Sequence, residues 1–87
     1  MQRFTYIVQC STGIHARPAG QLARAAKSYE GTVVTMTKGG RTVKVSQLLN
    51  LMSLSIANGD EITVCAEGPD EDEVIETIRN ILRGELD

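Results

Sequence analysis

The residues best suited to chemistry converge on one short segment, Thr12-Gly13-Ile14-His15-Ala16-Arg17-Pro18-Ala19, which holds the only histidine of the chain. The spacing places His15 where a loop becomes a helix. The first turn of a helix leaves backbone N–H groups without intrahelical partners, and the helix dipole is positive there, so an anion is welcome. The same field disfavours the imidazolium, which leaves His15 neutral and nucleophilic near neutral pH and able to accept a phosphoryl group. Arg17, in the same turn, supplies a second positive charge against phosphate oxygens, and Pro18 fixes the backbone that aims both groups. A lone histidine at such a place more often caps the helix or simply lies exposed. Gly13, which permits an unusual backbone angle, the nearness of Arg17, and the lack of any apolar periodicity that would bury position 15 favour a site. No second histidine exists and no carboxylate lies in the loop to orient His15 as a general base. The segment therefore suits holding a phosphoryl group better than discharging it to water.

Positioning such a segment needs a strand before it and a helix after it, and the patterning supplies both. Phe4, Tyr6, Val8 and Cys10 alternate with Thr5, Ile7 and Gln9 at the period of a half-buried strand. Ala16, Ala19, Leu22, Ala23, Ala26 and Tyr29 then recur at helical spacing, with Pro18 in the first turn, where its missing N–H costs nothing. Gly20 stands inside this helix, loosening it or permitting close packing. A strand over 32–37, a hairpin turn at Lys38-Gly39-Gly40-Arg41 and a short strand over 42–45 follow. Ser46 is an N-cap candidate for a short helix carrying Leu48, Leu49, Leu51 and Met52, and Asn58-Gly59 makes a turn. Ile62, Val64 and Ala66 alternate through a fourth strand. Asp70 with Glu73 three residues later reads as a capping box ahead of Val74, Ile75, Ile78, Ile81 and Leu82, and Gly84 is placed to stop that helix. The order β-α-β-β-α-β-α, with one apolar face per strand, predicts an α+β fold: an open-faced two-layer sandwich in which an antiparallel four-stranded sheet is covered by three helices.

Eighty-seven residues, 41% of them hydrophobic and 23% charged, fit one globular domain over 1–87. No apolar run reaches membrane-spanning length and no secretory leader is read at the N-terminus, so a cytoplasmic protein without membrane insertion is expected. Cys10 and Cys65 are expected as free thiols, since strand parity sends Cys10 inward with Val8 and Cys65 outward with Glu61, Thr63 and Glu67. Two cysteines and one histidine scattered along the chain do not make a metal site, and no cofactor is expected. Phe4, Tyr6 and Tyr29 are too few for a nucleic-acid stacking surface. Residues 1–58 carry seven Lys/Arg against Glu30, whereas 59–87 carry ten Asp/Glu against Arg79 and Arg83. This split suits a small anion or an acidic protein surface better than a polyanion.

Gly13-Ile14-His15-Ala16-Arg17-Pro18-Ala19 resembles the active-site signature of the HPr family, the histidine-containing phosphocarriers of the phosphoenolpyruvate-dependent sugar phosphotransferase system. Met52-Ser53-Leu54, Asn58-Gly59, Ala66-Glu67-Gly68 and the acidic start of the last helix are similar to the family as well, so the resemblance runs along the whole chain. It implies an open-faced sandwich and a relay in which enzyme I, phosphorylated by phosphoenolpyruvate, passes the phosphoryl group to the δ1 nitrogen of His15, which hands it to EIIA domains of sugar transporters. Arg17 matches the family arginine that neutralises phosphate charge in transfer. Partners would dock on exposed apolar residues of the second helix, Leu48, Leu49 and Met52, within a basic rim of Arg17, Arg24 and Lys27. Leu48, Leu49, Leu51 and Met52 are more than one buried stripe can hold, which leaves surplus apolar surface.

The resemblance also brings a serine kinase and transcriptional regulators among the implied partners, with Ser46 as the candidate regulatory serine. Counting back from Met52-Ser53-Leu54, however, puts Gln47 in the family slot, because this chain has one extra residue near Gly31 or the Gly39-Gly40 turn. A monomer is expected. Two further readings stay open: a carrier of the nitrogen-related or another regulatory branch using the same His15 chemistry, and a module that holds an anion at the helix terminus without a covalent bond.

Overall fold

A computed structural model describes residues 1–9 and 16–86. Along them run β1 (Gln2–Ile7), α1 (Ala16–Lys27), β2 (Val33–Lys38), β3 (Arg41–Lys44), α2 (Leu48–Met52), β4 (Glu61–Glu67) and α3 (Glu71–Leu86). The four strands form one antiparallel sheet in the order β1-β4-β2-β3. Since β4 pairs antiparallel with both neighbours, β1 and β2 run parallel to each other with β4 inserted between them. The α1 crossover thus leaves a gap that the last strand fills.

Alternation decides what each strand buries. In β4, Ile62, Val64 and Ala66 are fully buried, while Glu61 and Glu67 are exposed and Thr63 and Cys65 half-buried on the opposite face. Val34 and Met36 of β2 join them, and Phe4 and Tyr6 of β1 lie half-buried beside the core. Arg79 of α3 stands over the Phe4 ring at 4.9 Å, a cation–π contact that covers the edge of this face. The helices close the layer with Pro18, Ala19, Leu22, Ala23 and Ala26 of α1, Leu51 of α2, and Val74, Ile75, Ile78 and Leu82 of α3. Cys65 is a free thiol on the outer face, and Cys10 lies outside the described residues.

Turns account for several boundaries. Gly39 and Gly40 both adopt positive φ, 57° and 84°, the requirement of a two-residue hairpin whose twist matches the strands it joins. Lys38 therefore pairs with Arg41, and the strands extend one residue further into the turn than the alternation alone suggested. Tyr29 lies beyond the end of α1 and reaches α3, its hydroxyl 3.2 Å from Thr77 Oγ1.

Three local expectations are corrected, and one open alternative is closed. The N-cap of α2 is Gln47, not Ser46. Val45 is buried with its N–H bonded to Val34 O, Gln47 N–H closes a turn onto Lys44 O, and the first helical bond runs from Leu51 N–H to Gln47 O. The anchored Val45 thus moves the helix start one residue along, and no side chain caps it. At α3, Glu73 does not close a capping box with Asp70. The Asp70 N–H donates instead to Thr32 Oγ1 at 3.0 Å, and the Gly68 N–H to Glu71 Oε1 at 3.3 Å, because the tight passage after β4 brings Thr32 against this terminus. Gly84 does not stop α3, which continues to Leu86, since a single glycine lowers helix propensity without blocking the backbone bonds. Of the two readings of Gly20, close packing drops out, since a Cβ there would meet no atom within 4 Å, and the lower helix propensity of glycine remains.

The glycines give opposite predictions. Gly20→Ala should stabilise the fold by about 1 kcal/mol, the helix-interior difference between the two residues. At Gly68 an added Cβ would lie 2.5 Å from Thr32 Cα and 2.6 Å from Gly31 O, so Gly68→Ala should destabilise by more than about 1 kcal/mol. Denaturant unfolding of both variants checks this pair. Because the Ser46 side chain does not cap α2, Ser46→Ala should change stability by less than about 0.5 kcal/mol, against about 1 kcal/mol for removal of a true N-cap; the same titrations decide it. A further test concerns Glu71, whose carboxyl is held below its ordinary range first by the chain's amino terminus, 2.6 Å away, and then by the Gly68 N–H. A depressed carboxylate contributes stability above its unfolded pKa and loses it as pH falls through the folded one. The stability gap between wild type and Glu71→Gln should therefore close below the ordinary glutamate range; a gap that stays constant there refutes the assignment.

Candidate functional site

The chain leaves the sheet at Val8, which is fully buried and pinned by two backbone bonds, its N–H to Asp60 O at 2.9 Å and its carbonyl from Gly59 N–H at 2.7 Å. It enters α1 at Ala16. These two anchors bracket the segment of residues 10–15, so His15, the predicted phosphoryl acceptor, immediately precedes the helix but lies outside the described residues together with Gly13.

What the described side of the site contains is consistent with an anion. Arg17 is exposed on the second residue of α1, and the first turn carries no acidic residue. Pro18 beside it is fully buried, so the ring wedges the helix start into the core while Arg17 faces out. Arg24 and Lys27, both exposed, occupy the last turn. At 3.6 residues per turn Arg17 and Arg24 are two turns apart on nearly one line, so α1 presents a cationic edge leading from the helix start.

Next to α1 packs α2. Only Leu51 of its apolar residues is buried; Leu49 is 82% exposed, and Leu48 and Met52 stand out at 36% and 38%. The expected surplus of apolar surface is therefore present, and with Gln47 and Asn50 the two leucines line a shallow groove. Asn50 Nδ2 donates to Gln47 Oε1 at 2.6 Å across that groove. A second shallow groove, lined by Gln21, Thr77, Asn80, Ile81 and Gly84, lies between α1 and α3. Ser46 is half-buried in the turn ahead of α2.

Sequence reasoning missed the residues that hold the end of α2 and the loop after it. Arg41 Nη1 donates to Ser53 O at 3.1 Å and Nη2 to Ser53 Oγ at 2.9 Å, while Lys38 Nζ donates to Leu54 O at 3.1 Å and Ser55 O at 2.8 Å and pairs with Asp60 Oδ2 at 2.9 Å. Both cations flank the Gly39-Gly40 turn. Their spacing in the sequence signals a hairpin but gives no hint that they reach a helix end more than ten residues on. Among the described residues no three His, Cys, Asp or Glu side chains gather as a metal site, and no helix is long and apolar enough to cross a membrane.

Comparison with known proteins fits this geometry. A family model described as the PTS HPr component phosphorylation site matches residues 2–83, a stretch that includes His15 and the whole sheet. The phosphocarrier protein HPr of Mycoplasma pneumoniae is 35% identical over 82 residues, covering 94% of this chain and 93% of that protein. The solved structure of a mycoplasma histidine-containing phosphocarrier protein is similar at a TM-score of 0.93 and 29% identity, covering 98% of this chain and 96% of that one. HPr-C-His from Thermoanaerobacter tengcongensis follows at a TM-score of 0.90 and 27% identity, covering 99% and 96%. With its strand order, its cationic helix start and its exposed apolar second helix, the chain belongs to the HPr family of phosphocarrier proteins of the phosphotransferase system.

Proposed function

We propose that this chain relays a phosphoryl group on His15, receiving it from phosphorylated enzyme I and delivering it to EIIA domains of sugar transporters. The observation that carries the reading is the match of the phosphorylation-site family model across the residues that contain His15 and Arg17. In the transfer, the bond from phosphorus to the donor breaks as the bond to the imidazole nitrogen of His15 forms, and the reverse exchange loads the acceptor. No water enters either step. Arg17 neutralises the phosphate oxygens while they pass, which is where electrostatic positioning acts in phosphoryl transfer. The partners seat on Leu48, Leu49 and Met52, whose exposure is otherwise a cost to solubility, and the cationic residues Arg17, Arg24 and Lys27 steer an acidic partner to that patch.

Incubation with phosphoenolpyruvate and enzyme I should add one phosphate to the intact mass, labile in acid and stable in base, because a phosphoramidate hydrolyses once its nitrogen is protonated. His15→Ala should abolish the gain; an acid-labile phosphate persisting in that variant sinks the assignment. Since Arg17 is exposed, Arg17→Ala should leave cooperative unfolding intact and slow transfer by about a hundredfold, the scale of losing one preorganised charge donor. An unchanged transfer rate would remove Arg17 from the site.

A further inference from the structure

At and just beyond the end of α2, two cations of the β2–β3 hairpin take three successive carbonyls. Arg41 takes that of Ser53, and Lys38 takes those of Leu54 and Ser55. Ser53 is the C-cap of α2, and the N–H groups of Ser53, Leu54 and Ser55 take the last helical carbonyls, so the two cations hold the C-cap and the loop that follows it. That hold matters for α2. A helix of five residues cannot hold itself together in water. Ser55, moreover, sits at φ 52°, a left-handed conformation that costs a residue with a Cβ and persists only where the surroundings enforce it.

Lys38 is saturated by this arrangement. Its three N–H donors meet Leu54 O, Ser55 O and Asp60 Oδ2, and the same Asp60 oxygen accepts the Ala57 N–H at 2.8 Å. Asp60 in turn accepts the Val8 N–H through its carbonyl, at the point where β1 departs toward the histidine segment. One side chain therefore ties the hairpin, the loop after α2 and the end of β1 together.

We infer that Lys38, with Arg41 beside it, is a positioning residue for phosphoryl transfer: a charged latch that holds the exposed apolar face of α2 in its docking orientation. It acts through Leu54, Ser55 and Asp60. Its effect on transfer rests on the docking of partners at α2 proposed above, whereas its effect on α2 itself does not.

Native-state hydrogen exchange and steady-state phosphorylation by enzyme I test the two halves separately. In Lys38→Met, the amides of Leu51, Ser53, Leu54 and Ser55 should exchange about tenfold faster, the fold-change expected from losing a charge-assisted hydrogen bond, with the β4 amides unchanged. Asp60→Asn should give the same pattern in weaker form. Ser55→Gly in the Lys38→Met background should recover part of the protection, because glycine takes the left-handed conformation without being held. KM for this protein as substrate of enzyme I should rise several-fold in Lys38→Met while kcat stays constant. Unchanged exchange at α2, or an equal acceleration in β4, overturns the latch. So does a loosened α2 with an unaltered KM, which would leave Lys38 a purely structural residue. A wild-type protein that accepts no phosphoryl group sinks the carrier reading alone, and the exchange pattern then decides for or against the latch by itself.

Discussion

Ile62, Val64 and Ala66 on the central strand β4 are completely withdrawn from water, and their burial is the constraint on which the other parts depend. β4 has a neighbour on each side and only one apolar face, so the face has to be covered by helices while the other remains polar and open. The crossover that carries α1 from β1 to β2 lays it on the apolar side, and α3, following β4, closes the same side with Val74, Ile75, Ile78 and Leu82. The start of α1 is consequently fixed by its packing into that layer. Pro18 and Ala19 are pulled into the core, which leaves the preceding residue, Arg17, facing solvent at the helix terminus.

The second helix shows the cost of building a binding surface. Of four apolar residues in five positions, only Leu51 is buried, so α2 contributes little hydrophobic burial of its own and begins without a side-chain cap. Its order has to come from elsewhere. Two cations of the hairpin, a carboxylate at the end of the following loop, the buried Leu54 and Ile56 within that loop and the anchored Val45 before the helix supply that order. The result is a small, exposed apolar platform held by the burial of Leu51, Leu54 and Ile56 and by charge-assisted bonds at and after its end.

Much of this was legible in the residues. The alternation in Ile62-Thr63-Val64-Cys65-Ala66 marked the central strand, Gly39-Gly40 marked the hairpin, and the i, i+3, i+4 pattern of Val74, Ile75, Ile78 and Leu82 marked the last helix. The histidine signature pointed to phosphocarrier chemistry, and the excess of leucines in α2 pointed to exposed apolar surface, which the 82% exposure of Leu49 matches. Helix termini were less legible, because they depend on residues distant in sequence. The Asp70 N–H is taken by Thr32, thirty-eight positions away, in place of the local capping box, and Val45 is claimed by β2, which shifts the α2 cap from Ser46 to Gln47. The roles of Lys38 and Asp60 were invisible for the same reason: neither is unusual in its own neighbourhood, and only the folded chain brings them to 2.9 Å.

The phosphoryl group, on the reading proposed above, rides on the imidazole of His15. Phosphorus-31 and nitrogen-15 spectra of the ¹⁵N-labelled protein, recorded after treatment with phosphoenolpyruvate and enzyme I, test this most directly. The expected result is one phosphorus resonance coupled to a ring nitrogen of the single histidine, with the amide exchange of β4 undisturbed. A phosphorus signal with no nitrogen coupling, as a phosphate ester on a serine or threonine hydroxyl would give, contradicts it.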